Sequence, residues 1–218
     1  MSHEIRTPLN SIVGFSQLIT SPDANLSQEE RQDFCHLIQH NSDLLLTLVG
    51  DILSAAELES NRYTMKIAPH SCNKLCREAI TTVEHRKPEG VKLYYTSEVD
   101  DCYELITDGQ RVCQILINFL TNAEKHTTQG EIRLHCSLTE NPGYVTFSVT
   151  DTGTGIPPEY SETIFERFEK ADNFGQGTGL GLNICRLIAE RLKGKVLLDK
   201  EYKEGARFVF VLPVKKSI

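Results

Sequence analysis

The chain has 218 residues, 39% of them hydrophobic and 24% charged, with a formal net charge of −7 at pH 7. That length suits one large domain or two modest ones with a real core, and the acidic balance argues against nucleic acid as the main partner. No stretch approaches the roughly 18 apolar residues of a membrane span, and seven cysteines without a CxxC pair point to free thiols in a reducing compartment. A cytoplasmic chain without membrane contact, or a cytoplasmic piece of a larger, membrane-anchored protein, is expected.

Residues 2–20 read as a helix, because Ile5, Leu9, Ile12, Ser16 and Ile19 recur at three- and four-residue spacing. Ser21–Asn25 is a turn by composition. Ser27-x-x-Glu30 is a capping box that opens a second helix. Its stripe of Phe34, Leu37/Ile38, Leu44/Leu45, Leu48, Ile52 and Ala55/Ala56 is close to a heptad and runs to about Ser60. Two such helices cannot bury their stripes against each other alone, so a second copy is expected to complete a four-helix bundle through residues 2–60.

From Tyr63 the pattern changes, and a boundary near residues 59–64 is expected. Tyr63–Ile67 reads as a short strand, Ser71–Val83 as a helix, and Val91–Val99 and Tyr103–Thr107 as strands. Asp108 sits where the N-cap of the next apolar-periodic helix belongs. Glu131–Leu138 and Tyr144–Thr150 alternate as strands joined through Asn141-Pro142-Gly143. A short helical stretch over Pro158–Phe168, a glycine-rich loop, a helix from Thr178 to Leu192 ended by Gly194, and a last hairpin of Lys195–Lys200 with Ala206–Val211 complete the chain. The fold class is α+β, an antiparallel or mixed sheet with helices on one face.

Four segments carry chemistry. In Ser2–Asn10, His3 is followed by a carboxylate, Glu4, which can hold one ring nitrogen while the other attacks phosphorus. Thr7 lies four residues on, on the same helix face, where its hydroxyl can orient water. Asn118, Asn122 and Lys125 line one face of a later helix. Amide oxygens suit Mg²⁺, and an ammonium neutralises phosphate. Asp151, at a strand end, heads Asp-x-Gly153-x-Gly155, where a carboxylate can accept from the exocyclic amine of adenine. Gly175-x-Gly177-Thr178-Gly179-Leu180-Gly181 leads into a helix whose N-terminal N–H groups form an anion site. The P-loop and Rossmann signatures are both missing.

In order and spacing these blocks resemble the H, N, G1, F and G2 boxes of sensor histidine kinases: Ser2–Asn10, Asn118–Thr127, Asp151–Pro157, Ile164–Phe168 and Gly175–Leu182. The resemblance implies a dimeric histidine-phosphotransfer hairpin over residues 1–60 and a Bergerat-type (GHKL) ATP-binding α/β sandwich over 61–218. It implies a kinase that uses ATP and Mg²⁺ and passes its phosphoryl group to an aspartate on a response regulator receiver domain. By position, His3 is the phosphoacceptor, Glu4 its acid/base partner and Thr7 the residue of the reverse, phosphatase reaction. Asn122 is the metal ligand, with Asn118 and Lys125 near the phosphates. Asp151 reads adenine, and Gly153, Gly155, Gly177, Thr178, Gly179, Leu180 and Gly181 shape the pocket and lid, with Phe165 and Phe168 at the lid base. A Bergerat-fold ATPase without a phosphohistidine, and a dimeric phosphatase or scaffold, are the alternatives.

Overall fold

The computed structural model describes residues 2–21, 25–60, 63–138, 143–169 and 178–214, apart from the side chains of Ser2 and His3. Two long helices come first, α1 (Ser2–Thr20) and α2 (Gln28–Glu59), packed on each other as a hairpin with Phe15 stacked on Phe34 at 5.4 Å. The capping box forms as read: Glu30 N donates to Ser27 Oγ at 3.1 Å, and Ser27 N donates to Glu30 Oε2 at 2.8 Å. These two bonds satisfy orphan donors that the first turn of any helix carries. The hairpin leaves a run of apolar side chains in water, with Leu46 71% and Leu53 61% exposed beside Leu9, Val13 and Val49.

The remainder is a two-layer sandwich of β1 (Ala68–Ser71), α3 (Cys72–Val83), β2 (Val91–Ser97), β3 (Glu104–Thr107), α4 (Gly109–His126), β4 (Gly130–Leu138), β5 (Tyr144–Asp151), α5 (Gly181–Arg191), β6 (Lys195–Leu198) and β7 (Arg207–Pro213). A five-stranded sheet runs in the order β2-β4-β5-β7-β6, and β1 pairs with β3 in a small antiparallel sheet. The main sheet is mixed, since β2 runs parallel to β4 while the other neighbours are antiparallel. Alternation sends Ile132, Leu134 and Cys136 of β4, Val145, Phe147 and Val149 of β5, and Phe208, Phe210 and Leu212 of β7 inward. There they meet the apolar stripes of α3, α4 and α5. Phe119 of α4 stacks on Phe208 at 5.2 Å, which fixes that helix on β7.

Three local readings are corrected. Residues 63–67 form no strand, and the strand begins at Ala68. Tyr63 Oη (3.2 Å) and Lys66 N (2.9 Å) donate to Asp108 Oδ2, and Arg111 lies over the Tyr63 ring at 3.9 Å. The segment is thus a strap tied to an N-cap. Asp108 meanwhile caps α4 as expected, accepting from Arg111 N at 3.2 Å. Pro158–Phe168 is a single 3-10 turn, Pro158–Tyr160, followed by turns. α5 begins at Gly181, not Thr178, because Gly179 sits at φ +69 outside helical backbone space. The Asn141-Pro142 turn lies outside the described residues, as do Gly175 and Gly177. All seven cysteines are free. Among the described residues no helix is long and apolar enough to cross a membrane.

Candidate nucleotide site

The polar residues singled out in the second half of the chain come together at one end of α4. Asn118 and Asn122, one turn apart on that helix, are joined by a 3.3 Å bond from Asn122 Nδ2 to Asn118 Oδ1. This orientation directs the Asn122 carbonyl oxygen away from its partner and leaves it suited to a hard cation. Asn118 also lies against the start of α5: a Cβ on Gly181 would stand 2.2 Å from its Nδ2. Only a residue without a side chain lets the α5 N-terminus approach this amide so closely. Lys125 is exposed in the last turn of α4.

Asp151 ends β5 and is 3% exposed. Its Oδ1 accepts from Gly153 N at 2.9 Å and Ala206 N at 3.2 Å. Burial raises its pKa; the two backbone donors and the charge of His126 pull in the other direction. The turn behind it is packed tightly onto α4. Thr154 N donates to His126 O at 3.2 Å, and a Cβ on Gly153 would meet that same carbonyl oxygen at 2.2 Å. Gly155, at φ +69, faces Gly205 O. The carboxylate is therefore held at a strand end by a loop with no room for a side chain at Gly153.

Elsewhere in the site, Phe168 N donates to Gly179 O at 2.9 Å, and Asn183 Nδ2 donates to Phe165 O at 3.1 Å. Phe165 is buried edge-on to Phe208 at 6.1 Å, so the two ends of the glycine-rich segment are tied together over the core. Thr178 Oγ1 accepts from Leu180 N at 3.3 Å, beside the N-terminus of α5. Among the described residues no group of three or more His, Cys, Asp or Glu side chains could hold a metal ion. The donor set present, amide oxygens beside a lysine and a helix N-terminus, fits a hydrated Mg²⁺ carried by phosphates.

His3, Glu4 and Thr7 stand apart from this cluster, in the first two turns of α1, with Glu4 half-buried and Thr7 exposed. The His3 side chain lies outside the described residues. Residues absent from the sequence reading join the site from elsewhere. Gly205 and Ala206 close over Asp151, and α2 supplies Asp51, whose Oδ2 accepts from Thr178 Oγ1 at 2.7 Å. Asp51 continues the stripe of Leu48, Ala55 and Leu58, all buried. A carboxylate in an apolar stripe was the available signal.

The sequence matches two family models: the His Kinase A (phospho-acceptor) domain over residues 1–61, and the histidine kinase-, DNA gyrase B- and HSP90-like ATPase over residues 107–216. It is 33% identical over 228 residues to hybrid signal transduction histidine kinase A of Dictyostelium discoideum. It is 34% identical over 229 residues to the autoinducer 2 sensor kinase/phosphatase LuxQ of Vibrio harveyi. Those alignments cover 98% and 99% of this chain, but the chain spans only 10% and 26% of those relatives' lengths. Among solved structures, full-length ShkA in complex with AMPPNP is similar with a TM-score of 0.74 at 33% identity, over 99% of this chain and 45% of that one. Histidine kinase ThkA in complex with response regulator protein TrrA gives 0.79 at 27% identity, over 98% and 60%. With half of its length matched by the ATPase model and its helical hairpin by the phospho-acceptor model, the chain belongs to the histidine kinase family.

Proposed function

We propose that this chain is the catalytic core of a sensor histidine kinase, which moves the γ-phosphoryl group of ATP to His3 and from there to an aspartate of a response regulator receiver domain. The observation that carries the reading is the convergence of the α4 amides, the buried Asp151 and the glycine-lined start of α5 in one chain with a phospho-acceptor type hairpin. ShkA was solved with AMPPNP and ThkA with TrrA, which supports ATP as the donor and a response regulator as the acceptor.

In this reading Asp151, fixed through Oδ1, accepts from the exocyclic amine of adenine, and Gly153 and Gly155 let the backbone close on the base. Lys125, Asn118 and the α5 N-terminus at Thr178, Gly179, Leu180 and Gly181 hold the phosphates, with Gly177 in the lid. Asn122 is the residue that would hold Mg²⁺, which would supply neutralisation of the phosphate charge. Glu4 orients the His3 ring and accepts its proton, while Thr7 positions water for dephosphorylation, the second activity named for LuxQ. As in other phosphoryl transfers, positioning and charge neutralisation supply most of the catalysis. The functional division falls after residue 60, between phosphotransfer hairpin and ATP-binding sandwich. The exposed leucines of the hairpin support a homodimer, and the seven free thiols support a cytoplasmic setting.

The test is incubation with γ-labelled ATP and Mg²⁺ beside His3→Gln. Acid-labile, base-stable label that the variant lacks is expected. Phosphate released without any labelled protein would instead indicate an ATPase, and ATP bound without turnover a scaffold.

A further inference from the structure

Asp51 is half-buried, where an ionised carboxylate is costly. The stripe it belongs to is otherwise apolar, and burial raises its pKa against the opposing effects of Thr178 and Lys125. A buried charge persists where it is paired or hydrogen-bonded. Here the partners come from the other side of the hairpin–sandwich junction. Thr178 Oγ1 donates at 2.7 Å, Lys125 of α4 acts on it electrostatically, and Cys185 of α5 feels its charge. Through Thr178, whose Oγ1 accepts from Leu180 N, the carboxylate reaches the N-terminal end of α5.

Two further ties join the same stretch of α2 to the sandwich. Arg191 donates through Nε (3.0 Å) and Nη2 (2.7 Å) to the Leu58 carbonyl oxygen, one of the carbonyls that the end of a helix leaves without an intrahelical partner. Glu59 forms an ion pair with Arg167, close to the lid base. Asp51, Leu58 and Glu59 lie on adjoining positions of one face of α2, so the helix grips the sandwich along its last turns.

We propose that Asp51 is a built-in anion that occupies the phosphate end of the nucleotide site, so that the terminal phosphate of ATP must displace it from Thr178. The inference rests on the nucleotide reading above and adds regulation to it. An acidic side chain and a phosphate compete for the same hydroxyl, and their like charges prevent them from sharing it. ATP entry then unfastens the tie at Asp51 between α2 and the sandwich and leaves Leu58 and Glu59 to hold the end of the helix. Nucleotide binding thereby loosens the contact between α2 and the phosphate end of the site.

The experiment measures the affinities of the full chain for ATP and for adenosine, with and without Mg²⁺, in wild type, Asp51→Asn and Asp51→Ser, with thermal melts reporting folding. Both neutral variants should bind ATP about tenfold tighter, the factor that breaking one charged hydrogen bond costs. Adenosine, which carries no phosphate, should bind all three alike. Unchanged or weaker ATP binding by folded variants overturns the proposal. A loss confined to Mg²⁺-containing samples also overturns it and makes Asp51 a metal ligand. Wild type that binds neither ATP nor adenosine overturns the nucleotide reading itself, a result distinct from equal binding by wild type and variants.

Discussion

Replacing Gly153 with alanine should weaken both the fold and nucleotide binding, because no space exists for one methyl group. The new Cβ would stand 2.2 Å from the His126 carbonyl oxygen and 3.0 Å from Asp151 Oδ1. The nearer atom is backbone at the end of α4, so no flexible side chain can yield. Ordinary contact begins near 3.4 Å, so loop and helix must part by about 1 Å. That movement draws the Thr154 N to His126 O bond, 3.2 Å, beyond hydrogen-bond range. It also pulls at the 2.9 Å bond from Gly153 N to Asp151 Oδ1. A neutral bond contributes about 0.5–1.5 kcal/mol and one to a carboxylate about 1.5–3 kcal/mol, so roughly 2–4 kcal/mol is lost. For a chain of this size the melting temperature should fall by roughly 5–15 °C. With Asp151 no longer pinned, ADP affinity measured by calorimetry should fall about tenfold or more. A variant that melts within about 2 °C of wild type and binds ADP equally well would refute the argument from close approach.

Other expectations follow from the same geometry. Asp108→Ala removes the α4 cap and both strap bonds, and urea unfolding should show a loss of about 2 kcal/mol; proteolysis between residues 60 and 66 should quicken. Because burial raises the pKa of Asp151, its carboxylate takes up a proton at a higher pH than an unperturbed aspartate does. ADP affinity should therefore decline with acidification before ordinary aspartates titrate, and Asp151→Asn should remove that pH dependence. Leu46→Glu with Leu53→Glu places charges on the exposed hairpin stripe. Sedimentation at micromolar concentration should show a dimer in wild type and a monomer in this variant.

Much of this architecture was legible because local signals and tertiary packing agreed. The Ser27 capping box, the Asp108 cap and the two-residue alternation of β4, β5 and β7 each announce an element that the core then uses. Tyr63–Ile67 misled because its alternation imitates a strand, while its donors serve a distant cap: Asp108 takes both Tyr63 Oη and Lys66 N. The stretch after Pro158 misled for a related reason. Phe168 adopts φ 62 to donate to Gly179 O, and Asn183 takes the Phe165 carbonyl. Helix propensity lost there to bonds made across the site. In the candidate site, Asp151 and the glycines could be read because each is demanded by the loop that holds it. Asp51, Gly205 and Ala206 are far from those motifs in sequence, and only folding brings them near.

The strap at Tyr63 sets the length of a leash. Ser60 caps the end of α2, and Tyr63 is already fastened to the sandwich through Asp108 and Arg111. Three peptide units separate those anchors, at most about 11 Å at full extension. A sandwich tethered so closely can pivot about the end of the hairpin but cannot wander from it. The arc it sweeps, rather than diffusion on a long linker, then determines which part of the hairpin the sandwich can meet.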